Sequence, residues 1–538
     1  MLLAGFIAVA PFGGCANAQR EAIVALWHRE RALSTEVEDL KRKLAEADKK
    51  KGAGKGKKNK SERRGRTGHV PPPAKDGPPQ KGHGPTDQPH LPEVERELDV
   101  DEGDRTCKLC GGDLEEAPEL DETAELIDVI ERQFVRVQAR RKMRRCRCGG
   151  CLELAHAPDK VLVGGRYSLN FAVEVAHDKY LLHSPLERQA REMTRQGLVI
   201  DSQTLWDQLW GLGQLVEPAY HALHRHVLSG PWVHADETTW QLLGHRHLPS
   251  EVKAGEWYVW VAHRPGAAFY LIQPKRDEHG ARELLTVPEL DASGKARRDE
   301  ANKLVGALYE GKVVCDAWWA YPYLVGKGAR WVLVHGWAHV RREFIASEKG
   351  FPFESAQMLS WIGELYAIES QVPQGSEHDE ERHRLRQTES KAVLEKMAAW
   401  VKKMDGKFPA GSSLQGALTY VRNQWEGLTQ FVNDARLPLD NNAAEQDGRQ
   451  PVLGKKNHQG SRSERGLQVA GMFSTLVQSA KLSGVEPKTY LRLAATRALR
   501  GWPVVLPHEV TEQELRDTLG LSEAEARRVL ARRPPPRE

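Results

Sequence analysis

Three acidic residues stand where divalent cations could be held. Asp236 ends the apolar run 232–235, within Val233-His234-Ala235-Asp236-Glu237-Thr238-Thr239. Asp316 ends Val313-Val314-Cys315, and Glu445 closes Asp440-Asn441-Asn442-Ala443-Ala444. Carboxylates are hard oxygen ligands that suit magnesium or manganese. Three of them can hold two ions, Mg2+ or Mn2+, about 3.5–4 Å apart, one activating a water or hydroxyl and the other stabilising a leaving oxygen. A lone Asp at a strand end is more often a cap or turn residue, so the weight lies on the ordered set. Glu237 adjoins Asp236, but strand alternation sends it to the opposite face. Asp440 is expected to cap the helix that carries Glu445.

A second metal site is written in cysteine. Five of the seven cysteines fall within residues 107–151. Cys107-Lys108-Leu109-Cys110 is followed by Cys146-Arg147-Cys148-Gly149-Gly150-Cys151. Two Cys-x-x-Cys knuckles, Cys107 with Cys110 and Cys148 with Cys151, supply four thiolates for one structural Zn2+ with no open coordination position. Cys146 is a surplus thiol or an alternative to Cys148, and the bland reading is a set of reduced, unliganded thiols. Beside the knuckles, Arg144 and Arg145 belong to a stripe, Arg140 to Arg147, suited to phosphates. Further candidates for phosphate contact are His339, Arg341 and Arg342, together with Arg449, Lys455, Lys456 and Asn457. Each also fits an ordinary exposed surface, as does His335.

The elements that must position these groups follow from periodicity. Trp232–Ala235, Trp257–Ala262 and Ala267–Ile272 read as strands, and polar helical sequence covers about 276–309. Lys312–Cys315 and Trp331–His335 are strands again. Three strands, a helix, a strand, a short helix and a strand make the order of an RNase H-like α/β core with a mixed sheet. The strands ending in Asp236 and Asp316 would then be central neighbours. A catalytic domain is expected over 231–500, with a mostly helical insertion at about 340–435.

Upstream, residues 21–48 place Ile23, Leu26, Leu33, Val37, Leu40, Leu44 and Ala47 at alternating three- and four-residue steps, broken only at Glu30. That is either a dimeric coiled coil or an amphipathic helix packed on its own chain. Residues 49–92 form a basic linker, with seven Lys and three Arg against one Glu in 49–66, a composition expected to be disordered. The cysteine module spans 93–160. Residues 161–230 are helical, with Ser202 capping a helix after a turn at Gly197, as a helix-turn-helix or a plain helical hairpin. The end, 501–538, reads as a loose tail carrying Pro534-Pro535-Pro536. The fold class is therefore multidomain: an N-terminal coiled-coil helix, a small zinc module, and an α/β core with a helical insertion.

Several blocks, taken in order, resemble a known family. Asp440 to Glu445 continuing to Gly454-Lys455-Lys456-Asn457 is the most specific, followed by Ala338-His339-Val340-Arg341-Arg342-Glu343-Phe344 and Asp236-Glu237-Thr238. Ser184 to Gln189 and Leu506-Pro507-His508 add two more. Together they resemble the large (TnpC-type) transposase of the insertion-sequence-66 family of bacterial mobile elements. The resemblance implies an RNase H-like DDE transposase whose acids fall on Asp236, Asp316 and Glu445. It implies cleavage and strand transfer at terminal inverted repeats, action on a target DNA, and two small element-encoded accessory proteins. Gln446, Gly448, His458 and Gly336 depart from the pattern, which keeps a catalytically inactive or domesticated zinc-containing DNA-binding relative as the alternative.

Composition bounds the rest. Charged residues make up 28% and hydrophobic ones 40%, which reads as soluble and globular with flexible stretches. The paired basic blocks favour a polyanion such as DNA, and the zipper-like helix favours a homo-oligomer. Residues 1–20 are an uncertain extension: Ala16-Asn17-Ala18 resembles a signal-peptidase site, yet no Lys or Arg precedes Arg20. A start assigned too far upstream explains it better than export. The expected setting is the bacterial cytoplasm, nucleoid-associated, with no membrane partner.

Overall fold

The computed structural model describes Cys110, Gly112 and residues 132–145, 147, 151–244, 254–373 and 375–531. All of them lie in one compact unit, Pro92–Glu538. The expected extension, coiled coil and basic linker lie outside the described residues, as does most of the cysteine module. What is described of that module is a small antiparallel pair, β1 (Met143–Arg145) with β2 (Leu152–Leu154).

Three helices follow: α1 (Leu169–Tyr180), α2 (Leu186–Arg195) and α3 (Ser202–Val227). Gly197 turns the chain between α2 and α3 at φ +87°, a conformation that favours glycine. The cap of α3 is Asp201, not Ser202: its carboxylate accepts from Thr204 N at 2.7 Å. Leu205, Leu209, Leu212, Val216, Ala219, Leu223 and Val227 recur at helical spacing and are all buried. That continuous stripe makes α3 a core helix, against which α1 and the C-terminal helices pack.

The sheet then begins. β3 (Trp232–Leu242), β4 (Gly255–Arg264) and β5 (Ala267–Gln273) form an antiparallel meander. After α4 (Glu278–Leu284) the chain makes a small hairpin, β6 (Thr286–Pro288) with β7 (Gly306–Leu308). It returns to the sheet as β8 (Lys312–Val314), α5 (Ala320–Gly326) and β9 (Val332–Val334). The strand order is β5-β4-β3-β8-β9, with β3–β8 and β8–β9 parallel. The mixed sheet and the central adjacency of the two Asp-bearing strands are as expected.

The long helix expected at 276–309 is corrected. Only α4 is helical, because turn chemistry takes the chain after it. The Asp291 carboxylate accepts from Ser293 N and Lys295 N, and that of Asp299 accepts from Ala301 N and Lys303 N. β3 is also far longer than the apolar run Trp232–Ala235, since β4 pairs with it out to Leu242.

The insertion is helical: α6 (Trp337–Ser347), α7 (Pro352–Glu369), α8 (Asp379–Leu385), α9 (Lys391–Met404) and α10 (Ser413–Thr429). It has its own apolar cluster, which joins the sheet through Val314 and Val334, with Trp232 of β3 packed against it. Arg386 is buried inside it at 1% exposure. All five of its N–H donors are used: two on the Glu369 carboxylate, the others on the carbonyls of Phe431, Asp434 and Leu437.

The chain then re-enters the main body with α11 (Asn442–His458), α12 (Glu464–Leu482) and α13 (Pro487–Leu499). α12 covers the β5 edge, where Ala268 N donates to Ser479 Oγ and Tyr270 N to Thr475 Oγ1. The helix thereby supplies the acceptors that a sixth strand would have offered. The segment read as a loose tail is corrected through residue 531. It folds into α14 (Glu512–Leu519) and α15 (Glu523–Leu530), capped by Thr511 and Ser522, and buries Leu515 and Ala526 against the main core. No helix among the described residues is long and apolar enough to cross a membrane.

Candidate active site

The parallel register sets Trp232 level with Lys312 and His234 level with Val314. Two residues beyond the last paired position on each strand stand Asp236 and Asp316, just where β8 has ended, the site of a crevice in sheets of this kind. Glu445 arrives from the first turns of α11. Asp440 does not cap that helix; its carboxylate accepts from the backbone and side-chain N–H groups of Asn442. Asn441 takes the cap position without a side-chain cap bond and does something else. Buried at 1% exposure, its Oδ1 lies 2.7 Å from His234 Nδ1, and its amide donates to Ala235 O at 3.0 Å.

A second buried contact fixes α11 just past Glu445. The Asp447 carboxylate lies 2.5 Å from His263 Nδ1 on β4 and accepts from Gln478 Nε2 at 2.8 Å. Two polar clamps therefore flank Glu445, one to β3 and one to β4. They fix the helix along and around its axis, which apolar packing alone would not do.

Asp316, His339 and Glu445 converge, with one ligand atom of each within 4.8 Å of the others. His339 Nε2 is 2.5 Å from Asp316 Oδ1 and 3.3 Å from Glu445 Oε1. Arg342 Nη2 is 3.2 Å from the same Glu445 oxygen. Asp236 stands apart from this trio and faces α11, where a Cβ on Gly448 would lie 3.8 Å from its Oδ2. Glu237 points to the opposite face, as alternation requires, and is held there by Arg276 and the Tyr321 hydroxyl.

The charges are strained in a way a cation would relieve. Burial, then the charges of Glu237 and Asp316, push the Asp236 carboxyl up to about 7. Burial disfavours the His339 cation, but its contacts with Asp316 and Glu445 outweigh that and raise it to about 9. His339 in turn holds Glu445 below the usual carboxylate range. Asp316 Oδ1 is buried and makes no well-angled hydrogen bond. A buried carboxylate oxygen contacted by the His339 ring, two further acids and that imidazole are a donor set that fits a divalent cation.

The other sequence candidates are distributed around this cluster. Arg341, Arg342, Arg449, Lys456 and Asn457 are exposed. The Lys455 ammonium is committed to Thr239, donating to its O at 2.8 Å and Oγ1 at 2.6 Å, and so ties α11 to β3. His335 is buried on Gly427, with Nδ1 3.0 Å from Cys315 O, and is not a surface group. Arg144 and Arg145 are exposed on β1. Of the proposed zinc ligands only Cys110 and Cys151 are described, both as exposed free thiols; Cys107 and Cys148 lie outside. Sequence reasoning missed the Asn441–His234 and Asp447–His263 clamps and placed His339 on phosphate instead of among the acids. A histidine two residues before Asp236 was the only local signal.

Comparison with known proteins places the chain at the level of a family. The profile described as "Transposase IS66 family" matches residues 164–469. "Uncharacterized protein y4hP" of Sinorhizobium fredii (strain NBRC 101917 / NGR234) is 26% identical over 432 residues, covering 76% of this chain and 73% of that protein. "Uncharacterized protein y4jD" of the same strain is 27% identical over 428 residues, covering 77% and 78%.

Proposed function

The chain belongs to the IS66 family of transposases, a DDE-type family, and on that premise we propose that it cleaves and joins DNA at the ends of an insertion sequence through Asp236, Asp316 and Glu445. The observation that carries the reading is the meeting of Asp316 and Glu445, with Asp236 near enough on the adjacent β3 for the charges of both to act on it. These acids would hold divalent cations, magnesium or manganese, which activate the attacking water or 3′-hydroxyl and stabilise the leaving oxygen.

The chain's own groups supply position and charge. The two clamps on α11 hold Glu445 opposite strands that carry the other two acids. His339 bridges Asp316 and Glu445 and keeps the two carboxylates from repelling each other before the site is loaded. Arg342, Arg449 and Lys456 lie near or beyond Glu445 on exposed positions, suited to the phosphates on either side of the scissile one. An RNase H-like core is the reading that best accommodates the strand order and the placement of the acids. The zinc module and N-terminal zipper would serve end binding and pairing of two ends, with a homo-oligomer and the two small accessory proteins as partners.

The experiment is incubation of the full chain with DNA bearing the element's end and magnesium, beside an Asp316→Ala control. Nicking at the end by wild type and not by the variant supports the assignment. End binding by both without nicking favours the inactive-relative reading, which the departures at Gln446, Gly448 and His458 keep in view.

A further inference from the structure

The loop after Asp316 carries an aromatic ladder that the carboxylate chemistry does not use. Trp260 on β4 is fully buried, and its ring lies 5.7 Å from that of Trp318. Trp318 lies 5.4 Å from Trp319, and Trp319 lies 5.7 Å from Tyr323, edge-on at 71°. The ladder begins in the core and ends in water: Trp319 is 50% exposed and Tyr323 44%. Scattered apolar residues on a surface need no explanation, but a contiguous, supported row of them does.

The support is rigid. The Arg276 guanidinium stacks 4.6 Å from the Trp318 ring centre and is itself held by the buried Glu237 carboxylate. The Lys327 ammonium sits 5.6 Å from the Tyr323 ring centre. Trp318 N donates to Asp316 O at 2.7 Å, so the ladder and the candidate metal ligand share one turn of backbone. Half-exposed aromatic faces with a cation alongside are the equipment of sequence-tolerant single-strand binding, in which bases stack on rings and phosphates meet cations. A base inside a duplex has both faces covered and cannot use such a ring.

We propose that Trp319 and Tyr323 form a stacking platform for unpaired bases of the DNA strand held at Asp316. The proposal rests on the strand-cleavage reading above and adds the state of the substrate: the strand is locally unpaired at the point of attack. Trp319 supplies the exposed face, Tyr323 braces its edge, and Lys327 meets the adjoining backbone. Glu237 finds its use here, as the anchor that fixes Arg276 against Trp318.

The test measures binding of full-length protein by fluorescence anisotropy to three probes: oligothymidylate, the same strand with abasic sites, and a duplex of equal length. Trp319→Ala is expected to weaken oligothymidylate binding about tenfold, the scale of one lost base–aromatic stack, and Trp319→Phe to recover most of it. Abasic and duplex probes should bind wild type and Trp319→Ala alike. Unchanged oligothymidylate affinity in the Trp319→Ala/Tyr323→Ala double variant overturns the platform, as does an equal loss on the abasic strand. Failure of the parent reading looks different: wild type would not nick end-bearing duplex with magnesium, whatever Trp319 does to single-strand binding.

Discussion

Asp236→Asn should stabilise the metal-free protein, and by an amount that depends on pH. The Asp236 carboxyl has an ordinary value of 3.8 and is raised to about 7 in the folded chain by burial and by the charges of Glu237 and Asp316. Below 3.8 the group is protonated in both states and contributes nothing to the pH dependence. Between 3.8 and about 7 the folded chain keeps a proton that the unfolded chain releases, so stability falls as pH rises. Above about 7 the penalty is complete. At about 1.4 kcal/mol per pH unit, the gap sets an upper bound near ~4 kcal/mol. Asn mimics the protonated form and removes the penalty. Urea unfolding in EDTA at about pH 8 should therefore find the variant more stable by up to ~4 kcal/mol, shrinking to about 1 kcal/mol or less near pH 4. Buried histidines such as His224, pushed down to about 3, titrate in the same range, so the difference between the two proteins is the quantity to read. Magnesium should raise wild type towards the variant and leave the variant nearly unmoved. A variant that is less stable than wild type at about pH 8 in EDTA, or a difference that ignores pH, would refute the reasoning.

Three further perturbations probe what holds the site. Asp447→Asn and His263→Gln each weaken the clamp beyond Glu445; a double-mutant cycle by urea unfolding should return a coupling of about 1–3 kcal/mol, and additivity within ~0.5 kcal/mol would mean the contact is idle. Arg386→Ala takes the buried donors from the Phe431 and Leu437 carbonyls and leaves Glu369 to Arg382 alone; it should cost about 2–4 kcal/mol, with Arg386→Lys failing to restore the planar fork, and a loss under about 1 kcal/mol would contradict this. A Cβ at Gly280 would lie 2.4 Å from the Trp260 ring, so Gly280→Ala should cost about 1–3 kcal/mol and shift the near-ultraviolet circular dichroism of the tryptophan ladder.

The strands around Asp236 and Asp316 were legible because short apolar runs ended in acids. The full length of β3 was not, because Asp236, Glu237 and Gln241 look like the end of a strand until β4 pairs with them. The hairpin after α4 was misread for a related reason: its charged residues fit a polar helix, while Asp291, Gly294 and Asp299 carried the turn signals. In the C-terminal segment, the Ser522 and Glu525 capping box was present in the sequence, but the proline run beyond it suggested loose chain. The clamps on α11 have no local signature. His234 and Asn441 are 207 residues apart, and His263 and Asp447 are 184, so no periodicity joins them.

The insertion with its own core separates the second acid from the third in time as well as in space. During synthesis at about 5–20 residues per second, Asp236 and Asp316 emerge on the order of ten seconds before Glu445. Through that interval the insertion can collapse on its own cluster, but α11 does not yet exist to be clamped to β3 and β4. Under the proposed chemistry the nascent chain is a harmless polypeptide beside the DNA that encodes it. A chain broken off before α11 keeps two of its three acids and stays inert.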